Sequence, residues 1–117
     1  MKLGKNAQAV LLRIYIGESE RYEGKPLSRY LIELFRKEGF YGATVLRGIA
    51  GFGKTSRVHT HSILRLSADL PVVVEVVDSR EKIEEIKPVL EEIISGGLVT
   101  EEEVTVCFYR GDDGERE

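Results

Sequence analysis

Tryptophan is absent, cysteine and methionine occur once each, and proline occurs three times in 117 residues. A lone Cys107 excludes an intrachain disulfide and a thiolate metal cluster, and it reads as an ordinary strand residue. Asn6 and Gln8 are the sole side-chain amides, a scarcity that fits a heat-adapted source when Glu, Lys and Arg are abundant. No apolar run approaches the roughly 20 residues that a bilayer-spanning helix needs. The opening stretch, MKLGKNAQAVLLRIYIGE, is cationic and then apolar, but Arg13 interrupts it, it alternates like a strand, and no small-residue cleavage site follows. A cytoplasmic protein is therefore expected.

Negative charge is missing from the middle of the chain. No carboxylate lies between Glu38 and Asp69, whereas Arg47, Lys54, Arg57, Arg65, His59 and His61 all do. The net charge is −3, and the residues outside this gap, with 13 basic against 20 acidic side chains, amount to −7. A basic, glycine-containing segment on an acidic body suits a compact anion better than long nucleic acid. With 42% apolar and 32% charged residues the composition is that of a globular domain, read here as one unit over 1–117 with a solvated tail at 111–117.

Val10, Leu12, Ile14 and Ile16 alternate with Ala9, Leu11, Arg13 and Tyr15, the period of a strand. GESERYEGK breaks it. Pro26 suits a first helical position, and Leu27, Tyr30, Leu31, Leu34 and Phe35 form one apolar helical stripe that Gly39 ends. A second strand is expected from about Tyr41 to Ile49. Val58, Thr60, Ser62, Leu64 and Leu66 form an alternating row, Pro71 marks a kink or edge, and strand continues to Val77. Asp78 with Glu81 then reads as a capping box for a second helix carrying Ile83, Ile86, Leu90, Ile93 and Ile94, with Pro88 inside and Gly96 and Gly97 closing it. Glu101 to Glu103 read as a solvated turn, and VTVCFY as the last strand. The predicted order is βαββαβ, an α+β ferredoxin-like sandwich. Val72, Val74 and Val76 point one way and Val73 and Val77 the other, so both sheet faces carry apolar residues and the chain should oligomerise.

Gly48 to Thr55, GIAGFGKT, satisfies the phosphate-binding pattern G-x-x-x-x-G-K-[ST]. That pattern cradles phosphate when a helix N-terminus follows the Lys, and the alternating row after Lys54 predicts no helix, so the NTPase reading is rejected. Two readings stay open: a long connection whose glycines only supply positive φ, or an anion cradle without an enzyme. In the second, preferred reading the backbone at Gly51 and Gly53 approaches a phosphate that Lys54 and Arg57 neutralise. His59 and His61 share a face of a strand, but two ligands make an incomplete metal site, and no metal is predicted. Glu75 among valines is either an acceptor for a ribose hydroxyl or the partner of an Arg across a subunit interface. No carboxylate pair, Ser-His-Asp set or reactive Cys suggests catalysis.

LRIYIGESERYEGKPL, GATVLRGIAGFGKTSRVHTHSILRLSADLPVVVEVVDS and GGLVT resemble the uncharacterised PII-like family, relatives of the trimeric PII nitrogen-signalling proteins, over nearly the whole chain. The resemblance implies a homotrimer of ferredoxin-like subunits, with an adenine nucleotide (ADP, AMP or ATP) in the inter-subunit clefts and a loop that reports the ligand to a partner, such as a membrane transporter. It places Thr44, Gly51, Phe52, Gly53 and Lys54 against the nucleotide, with Glu75 to Val77 lining the pocket and Arg110 standing for the C-terminal arginines of PII. The chain departs from PII where Thr100, Glu101, Glu102 and Glu103 replace a Gly-Asp-Gly-Lys turn, which favours a mono- or diphosphate held by Lys54, Arg57 and the histidines. An RNA-binding reading of the same strand order needs stacking aromatics on the third strand, which has none. A ligand-free oligomeric scaffold, whose basic loop binds an acidic protein surface, stands as the alternative.

Overall fold

The computed structural model describes residues 5–52 and 69–111. In chain order it contains β1 (Ala7–Gly17), a short hairpin of β2 (Arg21–Tyr22) and β3 (Lys25–Pro26), α1 (Leu27–Lys37), β4 (Ala43–Arg47), β5 (Pro71–Asp78), α2 (Arg80–Ile93) and β6 (Leu98–Val106). The four longer strands make one antiparallel sheet in the order β4-β5-β1-β6. That order, with a helix after the first and third of the four, is the ferredoxin-like arrangement expected from the sequence.

The alternation of β1 and β5 sorts their side chains between two faces. Val10, Leu12, Ile14, Ile16, Val72, Val74 and Val76 are buried with Leu27, Leu31 and Phe35 of α1 and Ile83, Ile86, Leu90 and Ile93 of α2. Both helices thus lie on one face, each through the stripe that its 3.6-residue period predicts. The other face carries Leu11, Val73 and Val77, half-buried, with Tyr15, Leu46 and Leu98 more exposed beside them. Apolar residues do occupy both faces, as the sequence suggested.

Several local expectations are corrected. GESERYEGK is a hairpin whose two-residue turn, Glu23–Gly24, has positive φ at both positions, 50° and 83°, the geometry that matches the twist of paired strands. The second strand is trimmed to Ala43–Arg47. The cap of α2 is Ser79, whose hydroxyl accepts from the Lys82 amide, and not Asp78. Asp78 ends β5, fully buried, and accepts from the Ser79 amide at 2.7 Å and the Tyr41 amide at 3.2 Å. Pro88 does lie inside α2, as its place in the sequence suggested.

The largest correction concerns the last strand. It spans Leu98–Val106 rather than VTVCFY, so Glu101 to Glu103 are strand residues paired with Leu12, Leu11 and Val10, and Cys107 lies just past the strand end. The open edge of β1 offers nine pairing positions, and the acidic run is tolerated there because cations meet it. Arg80 contacts Glu101 at 2.8 Å and Glu103 at 3.7 Å, Lys87 contacts Glu101 at 2.5 Å, and Arg13 contacts Glu102 at 2.8 Å. The row Val58 to Leu66, on which the NTPase reading was rejected, lies outside the described residues, as do Gly53, Lys54, Arg57, His59 and His61.

Candidate functional site

Apart from Arg110, the described part of the predicted site falls on β4, β5 and the start of the connection between them. Thr44 pairs with Glu75, and Val77 lies two residues further along β5, so all three share the sheet face that the helices leave uncovered. Thr44 is exposed, whereas Glu75 and Val77 are half-buried. One row across this face reads Thr44, Glu75, Arg13 and Thr100. Glu75 therefore meets a partner inside its own chain: Arg13 Nε donates to it at 2.9 Å, while Arg13 Nη1 donates to Glu102 at 2.8 Å. These two carboxylates, Glu75 foremost, raise the Arg13 pKa further above its ordinary value. The lone Arg13 in an apolar strand and the lone Glu75 in another were each visible in the sequence, but that they face one another follows from the β1–β5 register.

At the end of β4 the chain turns out past Gly48 to Phe52. The Gly48 amide donates to the Pro71 carbonyl at 2.7 Å, so the two strands stay paired up to the root of the connection. The Pro71 ring packs against this turn: a Cβ on Gly48 would stand 2.7 Å, and one on Gly51 3.1 Å, from its Cγ. Gly51 also has φ of +150°, so both its space and its dihedral favour glycine. Phe52 follows, 78% exposed. A backbone bared by glycine, with an unburied ring beside it and the carboxylate-free segment next in sequence, can receive a flat, anionic ligand.

Arg110 is elsewhere. After β6 the chain crosses the other end of the sheet, where the Cys107 carbonyl accepts from the Asn6 amide and Tyr109 packs edge-on against Tyr41 at 4.9 Å. Arg110 lies over the Phe108 ring at 4.5 Å. Tyr41 precedes β4 and Gly51 follows it, so the five residues of β4, roughly 17 Å of strand, separate Arg110 from the loop root within one chain. Sequence reasoning missed the contacts that hold this root, Arg47 with Glu18 and Ser19 with Asp69. No local pattern marks them, because the partners are 29 and 50 residues apart and strand pairing alone brings them close.

A cavity of ≈ 480 Å³ lies between α2 and β6, lined by Leu12, Leu90, Ile94 and Val99 with Lys87 and Glu101 at its rim, and holds none of the predicted site residues. Among the described residues no group of three His, Cys, Asp or Glu side chains could hold a metal ion, and no helix is long and apolar enough to cross a membrane.

Comparison with known proteins agrees with this architecture. Solved structures of CPII from Thiomonas intermedia K12 are similar in fold: the form bound to ADP and bicarbonate superposes with a TM-score of 0.56 at 17% identity, over 86% of this chain and 89% of that one. The form bound to ADP, AMP and acetate gives 0.54 at 16% identity, over 85% and 88%. A UPF0166 protein of Aquifex aeolicus is 48% identical over 100 residues, covering 84% of this chain and 92% of that protein. The UPF0166 protein MJ1524 of Methanocaldococcus jannaschii is 37% identical over 107 residues, covering 90% and 95%. The model of the DUF190 family, "Uncharacterized ACR, COG1993", matches residues 9–106, nearly the whole of the two-helix sandwich described above. The chain belongs to the DUF190 family, with a PII-like fold.

Proposed function

We propose that this protein is a non-catalytic, cytoplasmic PII-like signalling protein that binds an adenine nucleotide between the subunits of a homotrimer and regulates a partner protein. The observation that carries the reading is the placement of its candidate residues. Thr44, Glu75, Val77, Gly51 and Phe52 lie on the open sheet face and at one end of it, while Arg110 lies past the opposite end. Such a set becomes one site when the open face of one subunit meets the C-terminal segment of the next, and the apolar residues on that face supply the reason to associate. The CPII structures of the same fold hold ADP or ADP with AMP, which favours a mono- or diphosphate here. Lys54 and Arg57, next in sequence to the glycine root, supply the phosphate charge, and His59 or His61 adds to it as pH falls through about 6.5.

Calorimetric titration with ADP, AMP, ATP and adenosine tests the reading. Lys54→Ala should weaken ADP binding roughly ten- to a hundredfold, as expected for one charge-assisted contact, with little change for adenosine. ATP should be hydrolysed no faster than background. If adenosine bound as tightly as ADP and Lys54→Ala changed neither, the loop would be the partner-binding element of the scaffold alternative.

A further inference from the structure

Of the four cations in the carboxylate-free segment, Arg47 is the one within the described residues, and it is engaged inside the chain. Its guanidinium forms a fork on Glu18, Nε to Oε2 at 2.9 Å and Nη2 to Oε1 at 3.0 Å. Glu18 belongs to the turn that leaves β1, in which the Glu20 amide donates to the Gly17 carbonyl at 3.1 Å. The same turn holds the returning end of the connection. The Asp69 carboxylate accepts from the Ser19 hydroxyl at 2.8 Å and the Ser19 amide at 3.2 Å, and the Glu18 amide donates to the Leu70 carbonyl at 2.8 Å. A Cβ on Gly17 would displace the Asp69 carboxylate from its place against Ser19.

We propose that the turn Gly17–Glu20 is a clamp that sets the relative position of the two roots of the nucleotide loop, so that Glu18 and Ser19 govern nucleotide affinity as positioning residues without touching the ligand. One root, at Arg47 and Gly48, leaves the sheet, and the other, at Asp69 to Pro71, re-enters it. The strands join them through the Gly48 amide and the Pro71 carbonyl, and the turn grips both a second time through side chains. A fork between guanidinium and carboxylate fixes direction as well as distance. A ligand that needs the roots in one arrangement binds more weakly by the fraction of molecules that hold it. The inference rests on the nucleotide reading above, and it assigns Arg47 to the clamp and not to the phosphate.

Charge reversal separates a clamp from plain electrostatics. Glu18→Arg adds positive charge near an anion site, so electrostatics alone would tighten ADP binding, whereas loss of the clamp should weaken it by about three- to tenfold through the lost competent fraction. Arg47→Glu should weaken binding too, and the double variant Glu18→Arg/Arg47→Glu should recover most of the wild-type affinity. Hydrogen exchange at the Gly48 and Ser19 amides, measured without ligand, should quicken in each single variant and slow again in the double one. Ser19→Ala, which changes no charge, should show the same pair of effects in smaller degree. ADP binding to Glu18→Arg at wild-type strength or tighter would overturn the proposal, as would faster exchange with unchanged affinity. Were the wild type itself not to bind ADP, the nucleotide reading would fall, and unchanged exchange at Gly48 would then remove the clamp as well.

Discussion

Phe35 shows how little freedom a single core position has. It is 1% exposed, lies on the buried stripe of α1, and meets Phe40 edge-on at 4.9 Å just beyond the helix end. Phe35→Ala should lower unfolding free energy by about 3–5 kcal/mol, the sum of lost transfer energy and the cavity left behind. Urea denaturation followed by circular dichroism checks this, and a loss below about 1 kcal/mol, far under the usual range for such a truncation, would mean that the site collapses around the gap. Phe35 was legible from spacing alone because a helix repeats every 3.6 residues. Glu75 was legible as an anomaly, but its partner was not: Arg13 is 62 residues away, and only strand pairing brings their side chains to 2.9 Å. Gly51 and Phe52 stand exposed where the connection leaves β4, whereas Lys54, Arg57 and the histidines lie outside the described residues.

Among the elements, β6 depends most on its neighbours. Its exposed acidic run would repel itself as an isolated strand, and α2 supplies the opposing charge: Lys87 and Arg80 both contact Glu101, and both contact Glu84 on their own helix. Lys87, then Arg80, hold the Glu101 and Glu84 carboxyls below their ordinary pKa. A depressed carboxylate contributes stability that is present above the unfolded-state pKa, about 4.3 for Glu, and is lost as pH falls through the folded value. Glu101→Gln should therefore be less stable than wild type at pH 7, with the gap closing below about pH 4 as the wild-type carboxylate takes up its proton. Thermal melts of both proteins across this range measure it, and a gap that persisted unchanged in acid would assign the effect to packing. Ion pairs of this exposure are worth little singly, so the prediction concerns the pH trend.

The sheet of the whole molecule has one face under helices and another carrying Leu11, Tyr15, Leu46, Val73, Val77 and Leu98 around the Arg13–Glu75 pair. Among the described residues both helices lie on one side of the four-stranded sheet and leave the other side uncovered, which is the physical ground for the association proposed above. Light scattering at micromolar concentration should give three times the 13.2 kDa chain mass. A monomeric mass would leave Arg110 and the loop root too far apart to share a ligand, and the inter-subunit reading would fail. Replacing Leu46, which is 49% exposed, by Glu should shift the mass toward the monomer by placing a charge where apolar contact is expected.

Periodicity and breakers determined both helices, β1, β5 and the ferredoxin-like order, because each is written in local spacing that survives without knowledge of any partner. The extent of β6 could not be read that way. Three glutamates in a row look like a solvated turn, and they become strand only because β1 offers nine paired positions and Arg80, Lys87 and Arg13 stand opposite. The hairpin at Glu23–Gly24, the move of the cap from Asp78 to Ser79, and the union of Glu18, Arg47, Ser19 and Asp69 at one turn were likewise decided by tertiary structure. Such choices compare local alternatives of nearly equal energy, so contacts between residues distant in sequence settle them.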